Sequence, residues 1–147
     1  IARSNDERGG AIGGGSGVKT CAAYSNEAEG FLISLGTLAG ACVAAANDGD
    51  GFVATSAARL SNCFASSNGQ FGSDVAGFDV SGGTHVDASA ATLNQIGFRA
   101  SAGSMVTRCS ASGNVVNNYD LAAAPAGAIV NAVDAFATPS PYANISY

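Results

Sequence analysis

The spacing of apolar and polar positions changes several times along the chain. Val18 to Tyr24 reads as a strand. Asn26-Glu27-Ala28-Glu29 then has the form of a capping box, an N-cap side chain with Glu three residues later. It opens an uncharged stretch, Gly30 to Asn47, carrying Phe31, Leu32, Ile33, Leu35, Leu38, Cys42 and Val43. Gly36, Gly40 and Ala44 make a small-residue stripe at helical spacing. The stretch is short for a membrane span and is interrupted by Ser34, Thr37 and glycines, so it reads as a buried helix or a pair of core strands.

Asn47-Asp48-Gly49-Asp50-Gly51 is a turn, after which Val53, Ala57, Leu60 and Phe64 keep helical spacing as far as Asn68-Gly69. Phe71 to Val80 alternates like a strand. Thr84 and Asp87 repeat the capping-box spacing and open a helix that Gly97 would close. Phe98 to Ser110 and Asn114 to Leu121 are further strands. Pro125 and Pro139 bracket a short helix with Ile129, Val133 and Phe136, and Tyr142 to Tyr147 alternates as an edge strand would. The expected fold is α+β, short Ala-rich helices packed on an antiparallel sheet, with an all-β sandwich as the alternative. Residues 9–17, seven of them Gly or Ser, make 1–20 a Gly-rich arm, held by its own domain or by a neighbour, ahead of one globular domain, 21–147.

Composition narrows the classes. Of 147 residues, 30 are Ala and 20 are Gly, which favours some helix but no long one. Six basic residues, a single Lys19 among them, stand against eleven acidic ones, for a net charge of -5. That excludes a basic nucleic-acid binder and a polybasic membrane anchor. With 47% hydrophobic residues the chain is too apolar to be disordered throughout. A chain that opens on Ile1, with Met105 its only methionine, reads as processed or as part of a longer one.

Four cysteines without a CxxC pair suggest two disulfides and an extracellular or cell-surface setting. An antiparallel helical pair would bring Cys21 to Cys63 and leave Cys42 for Cys109. Cys21, Cys42 and Cys63 are equally spaced by 21 residues, but their flanks do not match, so the spacing reads as coincidence rather than as a repeat.

No catalytic set stands out. His85 with Asp87 is the first candidate for a small secreted hydrolase, but Asp87 is expected on a different face, and no Gly-x-Ser-x-Gly elbow is present. Glu27 and Glu29 read as capping residues rather than as a glycosidase pair. Asp48 and Asp50 could offer oxygens to calcium, yet the twelfth position of that loop is Arg59 rather than an acid. Asn144-Ile145-Ser146 matches the glycosylation sequon, and Gly13-Gly14-Gly15-Ser16-Gly17 lacks the spacing of a P-loop. The preferred expectation is a non-catalytic extracellular subunit that assembles with copies of itself, in a pilus-like filament, surface layer or coat. Ile1, Ile12, Tyr142, Ile145 and Tyr147 are the expected contacts. A glycan- or calcium-binding module is the runner-up.

Overall fold

In the computed structural model the chain winds into a β-solenoid with three parallel sheets. Residues 1–5, 7–70, 72, 74–121, 129–131 and 144–146 are described. After β1 (Ala2–Arg3), each coil contributes one short strand to each face. The first coil holds β2 (Gly10–Ile12), β3 (Gly17–Lys19) and β4 (Ala22–Tyr24). The second holds β5 (Phe31–Ile33), β6 (Leu38–Gly40) and β7 (Val43–Ala45), and the third β8 (Phe52–Ala54), β9 (Arg59–Ser61) and β10 (Phe64–Ser66). The fourth holds β11 (Ala76–Val80), β12 (His85–Asp87) and β13 (Ala90–Thr92). The fifth holds β14 (Ile96–Ala100), β15 (Met105–Thr107) and β16 (Ser110–Ser112). A sixth begins with β17 (Asn117–Asp120), and β18 (Ile129–Asn131) and β19 (Asn144–Ser146) follow. The first face runs β2-β5-β8-β11-β14-β17, the second β3-β6-β9-β12-β15, and the third β1-β4-β7-β10-β13-β16-β19-β18.

Among the described residues every pairing between these strands is parallel and in register, so equivalent residues of successive coils lie in columns about 4.8 Å apart per step. Inward columns make the core. Phe31, Phe52, Phe78, Phe98 and Tyr119 stack along the first face with ring centroids 5.3, 4.9, 4.8 and 5.4 Å apart. Such offset pairs each add about 0.5–1.5 kcal/mol to the burial term. In the first five coils the third face turns Ala inward: Ala23, Ala44, Ala65, Ala91 and Ala111, all buried. Small side chains there let the chain between coils approach closely. A Cβ on Gly51 would stand 2.6 Å from the Gly77 carbonyl oxygen, so only glycine fits.

An asparagine column closes each coil. Asn47 Oδ1 accepts from the Asn26 backbone N–H at 3.2 Å and from Asn26 Nδ2 at 2.7 Å. Asn47 Nδ2 in turn donates to Asn68 Oδ1 at 2.8 Å and to the Ala23 carbonyl at 3.3 Å. The pattern repeats through Asn68, Asn94 and Asn114. Both lone pairs and both amide protons of Asn47 are therefore used, which makes this buried polar column affordable.

Several expectations are overturned. Among the described residues there is no helix and no antiparallel pairing, so neither the α+β arrangement nor the sandwich holds. Val53, Ala57, Leu60 and Phe64 have helical spacing only because β8, a corner, β9 and β10 follow one another closely. Asn26 is a rung of the asparagine column, not an N-cap. Ile129 lies in a strand, while Pro125, Val133, Phe136 and Pro139 fall outside the described residues. The 21-residue spacing is a true repeat: Phe31 to Phe52 and Asn26 to Asn47 to Asn68 share it.

All four cysteines are thiols, with no disulfide. Cys21, Cys42 and Cys63 stand in one column, since Val43 N–H donates to the Cys21 carbonyl and Phe64 N–H to that of Cys42. Cys21 and Cys63 are two steps apart, about 9.6 Å, beyond the Cα separation a disulfide tolerates. Cys42 and Cys109 are farther still. Even neighbours in the column carry parallel Cβ vectors about 4.8 Å apart, wider than a disulfide allows.

Candidate functional site

The second face carries the most chemistry. Its strands alternate one inward residue (Val18, Ala39, Leu60, Val86, Val106) with two outward ones, giving two outward columns, of which the second becomes buried at Asp87 and Thr107. One column reads Gly17, Leu38, Arg59, His85, Met105; the other Lys19, Gly40, Ser61, Asp87, Thr107. Because a strand has a period of two, His85 and Asp87 share this face, contrary to the expectation that they part.

Four side chains meet there. His85 Nε2 lies 2.9 Å from Thr107 Oγ1, and the Thr107 hydroxyl donates to Asp87 Oδ1 at 2.8 Å. Arg108 Nε donates to the same oxygen at 2.8 Å, and its Nη2 pairs with Oδ2. Arg108 sits at the corner after β15 with φ of 53°, which turns its side chain back over the preceding coil. The Arg108 bonds, helped by Thr107, hold the Asp87 carboxyl down at about 2. An ionised carboxylate only accepts, so the single Thr107 hydroxyl proton goes to Asp87, and His85 donates its Nε2–H to Thr107 Oγ1. A nucleophilic hydroxyl needs the reverse polarity, its proton directed at the imidazole. The cluster thus ties two coils together without activating Thr107. Burial, and then the charge of Arg59, push the His85 pKa below its ordinary value.

Below this cluster a shallow groove of about 360 Å³ opens over Gly40, lined by Lys19, Leu38, Ala39, Arg59 and Ser61. Glycine at this outward position leaves a notch between Lys19 in the coil before and Ser61 in the coil after. The cations elsewhere are engaged: Arg8 with Glu29, Arg99 with Asp74 and Asp79, Arg108 with Asp87, and Arg3 over the Tyr24 ring. Lys19 and Arg59 have no ion pair among the described residues. Sequence reading missed this pair because they lie 40 positions apart; the signal was the 21-residue period, which places them two coils apart.

The other expected residues are dispersed. Asp48 is exposed in a turn, while Asp50 accepts from the Ala76 N–H at 2.6 Å, and burial raises its carboxyl to about 6. No group of three or more His, Cys, Asp or Glu suited to a metal occurs among the described residues. Glu29 pairs with Arg8 at 3.6 Å. Ile1 is exposed and Ile12 packs partly against the core from β2. Ile145 lies in β19, paired with Ser110 and Val130, while Tyr142 and Tyr147 fall outside the described residues. No family model, curated protein or solved structure matches the chain.

Proposed function

We propose that the chain is an extracellular, non-catalytic structural subunit that assembles with copies of itself end to end, as a rod or filament. The supporting observation is the N-terminal end of the solenoid. There β2 and β3 are the outer strands of two sheets, without a partner on one side among the described residues. Ile12, Val18 and Cys21 stay partly exposed there, while their column neighbours Ile33, Ala39 and Cys42 are buried. An unpaired strand edge is a template for another strand.

The surface that would seat on this end is one the chain already makes, because each coil lies on the next with aromatic over aromatic and Asn on Asn. At the other end β17 and β15 are the outer strands of the same two sheets. Contact between two different ends is heterologous and does not close, so it propagates. Ile1 and Ile12 belong to the N-terminal end. The absence of disulfides removes the cysteine argument for an extracellular setting; the scarcity of Lys, with Asn, Ser and Gly plentiful, still supports it.

Sedimentation velocity and negative-stain microscopy test this reading. Growth of rods with concentration, abolished in Ile12→Lys with the β-sheet circular dichroism intact, is the expected result. A chain that stays monomeric at every soluble concentration overturns it.

A further inference from the structure

We infer that the groove over Gly40 is a binding site for an acidic sugar, one bearing a carboxylate or sulfate on its ring. The charge argument is the first support. In a protein of net charge -5, three basic side chains have no ion pair among the described residues; Arg3 lies over the Tyr24 ring, and the other two, Lys19 and Arg59, both line this one groove. They stand on opposite sides of the notch, two coils apart along the axis, about 9.6 Å between backbone steps. A guanidinium holds an oxyanion through two parallel N–H donors, and an ammonium adds a point charge. The Ser61 hydroxyl, beside Gly40 in the same column, supplies a neutral donor.

Shape supplies the second support. A volume of about 360 Å³ is ring-sized, far more than a bare sulfate needs. The walls are mixed, since Leu38, 55% exposed, offers an apolar surface for one face of a sugar ring. The nearest acid on this face, Asp87, is engaged by Arg108 and Thr107 and does not compete for Arg59. His85, next to Arg59 in its column, adds no negative charge.

An acidic peptide fits less well. Such a ligand is held best by adding a strand to an open sheet edge. Here β6, under the notch, is paired on both sides, with β3 and with β9; the nearer open edge of this sheet among the described residues is that of β3, at the end of the solenoid and not in the groove floor. The site lies on a side face of the solenoid and does not depend on end-to-end assembly.

Titration calorimetry and amide-shift mapping on the intact chain test the site with five probes. These are an oligogalacturonate, a sulfated oligosaccharide, a neutral oligosaccharide of the same length, inorganic sulfate and a poly-glutamate peptide. Expected is binding of at least one acidic sugar, with shifts centred on residues 38–40 and 59–61 and affinity falling as salt rises. Lys19→Met and Arg59→Gln each weaken it about tenfold or more, and Gly40→Val, which fills the notch, abolishes it. All three positions are outward, and thermal unfolding of each variant checks that the fold is kept. Arg8→Gln, far from the groove, binds normally. Inorganic sulfate or poly-glutamate binding as tightly as the sugars overturns the assignment. So does equal binding of the neutral sugar, or no salt-sensitive binding by any acidic sugar.

Discussion

The asparagine column and the cysteine column flank the same face, at opposite ends of its strands, and both are buried for most of their length. In sequence they look alike: Asn26, Asn47 and Asn68 keep the same 21-residue interval as Cys21, Cys42 and Cys63. Their bonding differs. Each asparagine bonds to the asparagines of the coils before and after, so the column fixes how one coil sits on the next. Each thiol instead donates weakly to the carbonyl two residues back, Cys42 to Gly40, Cys63 to Ser61 and Cys109 to Thr107, with longer contacts to a carbonyl of the coil before, that of Val18, Ala39 and Val86. In the fourth coil Ser89 occupies this place and donates to the Asp87 carbonyl at 2.9 Å. The cysteine column needs only a small side chain with one proton to give; the asparagine column needs an amide. Equal spacing in a sequence therefore marks a shared place in the coil, and the side chain at that place decides how firmly one coil is tied to the next.

The largest expected effect comes from breaking the amide column. Asn47→Ala strips partners from the Asn26 amide, the Ala23 carbonyl and Asn68 Oδ1 together. A loss of about 3 kcal/mol or more, read by urea unfolding, is expected. Gly51→Ala attacks the same column from the side. Its Cβ would meet Asn68 Nδ2 at 2.8 Å as well as the Gly77 carbonyl, and the expected loss is about 1–3 kcal/mol.

A pH series separates two carboxylates of opposite sign. Asp50, in the turn after Asn47, has its pKa raised by burial to about 6, so between that value and its ordinary 3.8 the folded state holds more proton than the unfolded one. Its contribution favours the fold at low pH and is lost as pH rises through 6. Asp87, held at about 2 chiefly by Arg108, behaves the other way. Its contribution is present above 3.8 and is lost as pH falls through 2. The thermal midpoint should climb from pH 7 to about pH 4 and then fall. Asp50→Asn, which still offers an oxygen to Ala76, should flatten the climb and leave the acid limb intact.

The smallest expected effect is at the thiols. Cys63→Ser, which copies Ser89, should change stability by less than about 1 kcal/mol. Burial pushes the Cys63 thiol up to about 11 and that of Cys109 to about 12, so iodoacetamide at neutral pH should leave both unreacted until the chain unfolds. Cys21, only partly buried, should react first. Rapid labelling of Cys63 in the folded chain, or a disulfide found by non-reducing peptide mapping, would remove the columnar arrangement.

Much of the coil was written plainly. Asn47 to Gly51 is the turn its residues suggest, whereas the helical spacing of Val53, Leu60 and Phe64 belongs to three successive strands. Two physical reasons stand behind this. Several corners between the second and third strands of a coil carry no turn signature: Thr20, Ala41 and Ala88 adopt φ of 54°, 51° and 46°, a region usually left to Gly or Asn. Without a visible corner, three-residue strands run together and imitate helical or alternating patterns. The period also varies: Asn94 to Asn114 spans 20 residues, and Phe52 to Phe78 spans 26 because the chain from 69 to 75 is longer than its equivalents. The longer interval sets Ser89 off the cysteine spacing and hid the repeat. The groove escaped notice for a related reason, since Lys19 and Arg59 are neighbours only once the coils are stacked.

By itself, the sequence determined the unit of the structure: an interval of 21 residues, with a small side chain, an amide, a glycine and an aromatic ring at recurring places, and a scarcity of charge. Stacking alone decided what those places do. Hydrogen bonds between parallel strands run from one coil to the next, so every column, the thiol row that never bridges and the paired cations of the groove alike, exists only where separate turns of the chain meet.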